Sequence, residues 1–115
     1  MRRSLLILGA LSLVSCSAQT ELAQTSAPPS KADGAVIWSE NCEGCHGIGV
    51  AGAPIAGKAS AWAPRIRKGK DILYQHALEG FYGPKGTMMP PRGGNDALSN
   101  DEVKAAVDHM IGLVE

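Results

Sequence analysis

Aromatic residues are scarce: two Trp, two Tyr and one Phe, 4% of 115 residues. So small a set is thin for the core of a one-domain protein, where aromatic rings ordinarily supply large buried areas. Cysteine occurs three times, an odd number that rules out a simple framework of paired disulfides. Net charge is absent, since 11 basic residues meet 11 acidic ones. That balance argues against a nucleic-acid partner, whose binders carry clustered positive charge. No run of alternating apolar residues supports a sheet. Against these absences stand 14 Gly and 7 Pro, so a good part of the chain is loop. The 44% hydrophobic content suits a single folded domain and not a disordered chain.

The N-terminus reads as an address. Arg2 and Arg3 precede an uncharged apolar stretch at 5–14. A bilayer span needs about 20 apolar residues, so this is a secretory signal and not a membrane helix. The stretch closes on Leu13-Val14-Ser15-Cys16, which resembles a bacterial lipobox. That pattern implies cleavage before Cys16 and lipid on the new terminus, over segment 1–16. Ordinary cleavage after Ala18 is the alternative, and it would discard Cys16. Residues 17–32 carry Ser, Thr, Gln, Ala and the Pro28-Pro29 pair with no apolar period, which describes a linker. The working domain is then 33–115, placed outside the cytoplasm in either case.

Within that domain Asp33 is placed to cap a helix over 34–42, with Val36, Ile37 and Trp38 as its apolar bulk. A second helix is expected over 70–79, stopped by Gly80. The third is the clearest. Ser99 and Glu102 form a capping box, and Val103, Ala106, Val107, Met110, Ile111 and Val114 fall on one helical face. His76 and His109 lie off the apolar positions and are expected to be exposed. The stretches 47–69 and 81–98 read as long loops, which a compact domain tolerates only if something organises them. The fold class is all-α.

One motif carries chemistry: Cys42-Glu43-Gly44-Cys45-His46. Two thiols two residues apart, followed at once by His, make the attachment pattern of c-type haem. On a helical turn the thiols reach the two vinyl groups of one porphyrin, and the His supplies a nitrogen to the iron. A zinc site would need four ligands, leaving only Cys16, His76 and His109 to complete it. A thioredoxin-like pair would need a preceding strand. A local disulfide would have no use for His46. The opposite side of such an iron takes a ligand or stays open. Met88-Met89-Pro90-Pro91 offers a thioether in a segment that two prolines hold extended.

On these residues 33–115 resembles a class I c-type cytochrome, of the small bacterial mono-haem kind called cytochrome c-five. Gly34, Trp38 and Cys42 are similar to the family's first helix, where a Gly and an aromatic meet the last helix. CHGIGVAGAP, AWAPRIRKGKDILYQHALEG, MMPPRGG and LSNDEVKAAVDHM resemble its successive sections. The resemblance implies three to five short helices around one haem c, held by Cys42 and Cys45, with His46 as proximal ligand. It implies Met89, the Met directly before Pro, as the distal ligand. Pro54 resembles the loop proline whose carbonyl takes the His46 Nδ1–H, and Trp62 and Arg65 resemble a pair near the haem propionates. The extra Cys pair that some members carry is missing around Asn95 and Asp96. A His in place of Met89 is the alternative ligand.

A His/Met iron has no open position, so the expected function is periplasmic electron transfer and not catalysis. Expected partners are donor and acceptor proteins met transiently, together with a membrane reached through the lipid on Cys16; the chain itself is expected to be a monomer. The alternatives are a haem c subunit of a periplasmic dehydrogenase or oxidoreductase, and a haem enzyme or gas sensor with an open iron. The thin aromatic content then has a reason, because the porphyrin supplies the missing aromatic centre. Once Arg2 and Arg3 leave with the signal, the neutral balance becomes a net negative one.

Overall fold

The computed structural model describes residues 31–114. The signal and linker segments, with Cys16, lie outside the described residues except for the last two linker positions. Five helices make the frame: α1 (Lys31–Asn41), α2 (Glu43–His46), α3 (Ala59–Ile66), α4 (Lys70–Glu79) and α5 (Asn100–Gly112). Short 3-10 turns occupy Val50–Gly52 and Pro91–Gly94. Two strands of two residues each, β1 (Phe81–Tyr82) and β2 (Met88–Met89), pair antiparallel with Phe81 opposite Met89. Among the described residues no helix is long and apolar enough to cross a membrane.

α5 forms as its sequence dictates. The Ser99 hydroxyl accepts from the Glu102 N–H at 3.2 Å, and the Glu102 carboxylate accepts from the Ser99 N–H at 2.7 Å. Val103, Ala106, Val107, Met110 and Ile111 are all buried along one face. Each such aliphatic side chain contributes about 1.5–3 kcal/mol when withdrawn from water. Against that face pack α1 and α4, with Leu73 and Ala77 of α4 completing the core. The closest approach is at Gly34. A Cβ there would lie 2.4 Å from the Ala105 carbonyl oxygen, so only a residue with no side chain admits α1 to α5.

Several expectations change. α1 begins at Lys31, which puts Asp33 in its first turn and not at its cap. Val36 is 54% exposed and adds little to the core. His109 is half-buried, its ring centroid 5.5 Å from that of Trp38, and His76 stacks on Phe81 at 4.0 Å. Each histidine finds an aromatic face at the edge of the apolar stripe, which periodicity alone does not reveal. The presumed loop over 47–69 contains α3. Pro64 in that helix and the lack of a capping side chain at Lys58 conceal it. Burial of Trp62 holds it in place, at 6% exposure. Among the described residues the one sheet is the single short strand pair.

α4 and α5 are tied at the surface as well. The Tyr74 hydroxyl donates to Asp108 Oδ1 at 2.6 Å, and Lys70 Nζ meets the same oxygen at 2.9 Å. The carboxylate raises the Lys70 ammonium above its ordinary range, first through their hydrogen bond and then through charge. A lysine so exposed adds little to stability through this pair.

Candidate functional site

α1 runs almost without interruption into the Cys-x-x-Cys-His turn. The Cys42 N–H donates to the Trp38 carbonyl at 2.8 Å, continuing the helix. The Cys42 carbonyl then accepts from the N–H groups of Cys45 (3.2 Å) and His46 (3.0 Å). The motif is therefore one helical turn, and the thiols follow each other around it. Cys42 is half-buried and Cys45 is exposed. Burial pushes the Cys42 thiol above its ordinary range, and the neighbouring Cys45 adds to this.

His46 is buried, at 7% exposure, and it alone among the described charged and polar residues is. Its Nδ1 lies 2.9 Å from the Pro54 carbonyl. A carbonyl only accepts, so Nδ1 carries the hydrogen and Nε2 keeps its lone pair. Burial holds the imidazole below its ordinary pKa. The Pro54 bond opposes that shift and the nearby Arg65 charge adds to it. The ring is thus neutral at pH 7, fixed in one tautomer and able to donate a lone pair.

The next carbonyl, that of Ile55, accepts the Trp62 Nε1–H at 2.8 Å. Trp62 and His46 lie side by side, ring centroids 6.1 Å apart, so two side chains brace one loop. Indole has a single donor, and here it goes to the backbone and not toward an anionic group. The Arg65 guanidinium donates to the Ala61 carbonyl within α3 and leaves further donors uncommitted.

Met89 reaches the same centre from the other end of the chain. Alternation along β2 turns Met88 outward, 49% exposed, and leaves Met89 half-buried against the core. Gly80, at φ 84°, both ends α4 and admits this strand. A Cβ there would stand 3.0 Å from the Met89 carbonyl oxygen. His46, Met89 and Cys42 together line an apolar cavity walled by Ile37, Ala77, Leu98, Val103, Val107 and Met110. Met110, expected only as part of the α5 stripe, presents a second thioether side chain to this cavity. Arg92, also on its lining, is held by bonds to the Leu98 carbonyl (2.8 Å) and Asn100 Oδ1 (2.6 Å).

The donor set fits a c-type haem. One neutral imidazole and the thioethers of Met89 and Met110 face a common apolar space, with a pair of thiols on the turn beside it. A zinc centre is not supported, since among the described residues no three of His, Cys, Asp or Glu gather as metal ligands. A thioredoxin-like pair lacks its strand, because α1 precedes the motif.

The chain matches known proteins over the same region. Residues 29–110 match the family described as cytochrome C oxidase, cbb3-type, subunit III. The chain is 41% identical over 81 residues to cytochrome c-555 of Chlorobaculum thiosulfatiphilum, covering 70% of this chain and 93% of that protein. It is 37% identical over 79 residues to cytochrome c5 of Ectopseudomonas mendocina, covering 67% and 85%. A chain from the crystal structure of an electron transfer complex of nitrite reductase with cytochrome c superposes with a TM-score of 0.64 at 37% identity. That match covers 72% of this chain and 95% of the other.

Proposed function

The chain belongs to the small class I c-type cytochromes, whose cofactor is one covalently bound haem c, and on that footing we propose that it is a periplasmic electron carrier with His46 and Met89 as the axial ligands. One observation carries the reading: His46 and Met89 line a single apolar cavity beside the Cys42–Cys45 turn. When bound, the haem supplies an iron that alternates between ferric and ferrous states.

The chain's residues do the rest. Cys42 and Cys45 anchor the group on a helical turn. The Pro54 carbonyl fixes the His46 ring and raises the basicity of Nε2. Met89 offers a sulfur that favours the reduced state and so raises the potential. Ile37, Val103 and Val107 keep water from the centre, so little rearranges when the charge changes. Arg65, whose charge is felt at His46, would pair with a haem propionate, and Trp62 holds the loop that carries Pro54 and Ile55. Val50 and Met88 stand exposed on neighbouring segments and offer a small apolar surface for a brief encounter with a redox partner.

The reading is tested by absorption spectra of the purified holoprotein in both redox states, with a partner-free redox titration. The expected result is a sulfur-to-iron charge-transfer band in the near red of the oxidised form and reversible one-electron cycling. Absence of that band would remove Met89 as ligand and reopen the reading of an open iron. The second reading, a haem subunit of an oxidoreductase, draws on the neighbour whose title names a complex with nitrite reductase. Co-purification with an enzyme subunit in stable stoichiometry decides for it.

We assign Cys16 as the lipid anchor. Cys16→Ser with export intact is expected to move the protein from the membrane to the soluble fraction. Retention on the membrane would rule the anchor out.

A further inference from the structure

We propose that Thr87 is a positioning residue whose hydroxyl latches the Met89 strand onto the loop that follows His46. The inference rests on the reading of Met89 as distal ligand. It begins from how little else holds that segment. β1 and β2 are two residues each, and a ladder so short is marginal by itself. The tip that joins them, 83–87, has internal backbone bonds only, from Gly83 N–H to the Thr87 carbonyl and from Gly86 N–H to the Gly83 carbonyl.

Apart from the strand pairing, one hydrogen bond among the described residues leaves this hairpin for another part of the chain. The Thr87 hydroxyl donates to the Ala51 carbonyl at 2.7 Å, across 36 positions of sequence. Its acceptor is unusual. Ala51 has φ 51° and ψ 23°, a left-handed conformation that a residue with a Cβ adopts only under strain. The strained peptide lies in the turn five residues after His46, and its carbonyl is the one Thr87 meets. Lys85 crosses the same turn, its aliphatic stem lying over Gly52. On the far side of Met89, Asn95 donates to Asn41 Oδ1 at 2.8 Å, tying the next segment to the end of α1. Met89 is thus suspended between two ties, both ending on the half of the chain that carries Cys42, Cys45 and His46. Thr87 is the nearer of them, two residues away along the same extended segment.

The latch acts only while Met89 is bound. Thr87 is exposed, so removing its hydroxyl empties no part of the core. Loss of the latch frees the hairpin tip and lets the sulfur be displaced more readily. The test is imidazole titration of the ferric holoprotein, followed in the near-red sulfur band, for wild type, Thr87→Val and Thr87→Ser, with thermal melts of each. Thr87→Val is expected to bind imidazole about fivefold more tightly, the factor one lost net hydrogen bond is worth. Thr87→Ser, which keeps the donor, is expected to match wild type, and in saturating imidazole, where the sulfur is already displaced, all three are expected to melt together. Equal imidazole affinity in wild type and Thr87→Val overturns the latch. So does a Thr87→Ser variant that behaves as Thr87→Val, or a Thr87→Val protein that still melts below wild type in saturating imidazole. A wild-type protein with no sulfur band fails earlier and differently, by removing Met89 as ligand.

Discussion

Met89→Ala abolishes the near-red sulfur band, lowers the reduction potential and opens the iron to imidazole or cyanide, whereas Met88→Ala leaves all three unchanged. The reasoning is geometric before it is chemical. Successive residues of a strand face opposite ways, and β2 directs Met88 to solvent and Met89 to the cavity that His46 also lines. A thioether favours ferrous iron over ferric, so its removal stabilises the oxidised form. Axial ligands set haem potentials over a range of about 0.8 V, and losing this one is expected to lower the potential by on the order of 100 mV or more. A redox titration with parallel spectra measures it. Met110 sharpens the outcome because it lines the same cavity from α5. A band that survives Met89→Ala and disappears in Met110→Ala would falsify the assignment. A band lost in Met88→Ala alone would do the same.

The second large effect is on stability. Gly34→Ala is expected to destabilise the holoprotein, against what helix propensity alone predicts. In an open helix, exchanging Gly for Ala gains about 1 kcal/mol. Here the new Cβ would stand 2.4 Å from the Ala105 carbonyl oxygen and 2.8 Å from its carbon. Both are backbone atoms that no rotamer change can move, so α1 and α5 must separate. Overpacking of this kind costs about 1–3 kcal/mol and occasionally more. With the rigid obstacle at the upper end of that range, a net loss of about 2 kcal/mol lowers the melting temperature by roughly 10 °C. Gly44→Ala is the control, since a Cβ at Gly44 meets nothing within 4 Å. Thermal melts of the two variants followed by circular dichroism read the difference. A Gly34→Ala protein that melts above wild type would mean that propensity outweighs the helix contact.

What could be read in advance divides along physical lines. The capping box at Ser99 and the stripe from Val103 to Ile111 are local, periodic signals, and α5 follows them closely. The Cys42–His46 motif is legible because its chemistry requires fixed spacing. Gly80 was readable as a helix stop, but its second task, admitting Met89, depends on a residue nine positions later. α3 escaped because Pro64 and an uncapped start speak against a helix, while burial of Trp62 and its bond to Ile55 outweigh both. The Trp62 N–H goes to the Ile55 carbonyl, and no sequence pattern tells which acceptor a loop will bring near. The Thr87–Ala51 and Asn41–Asn95 bonds join distant segments through ordinary polar residues, and neither pair has a local signature.

The contact between Gly34 and Ala105 also sets an order of events. These residues lie near opposite ends of the described chain, so their meeting closes nearly all of it into one loop, and closure entropy grows with that length. During synthesis α1 and the Cys42–His46 turn emerge before α5. Until α5 docks, α1 lacks its partner and both thiols stay accessible. In the folded chain Cys42 is half-buried, and burial pushes its thiol above the ordinary range. The polypeptide therefore carries its own timetable: the attachment turn is made before the helix that completes the fold around it.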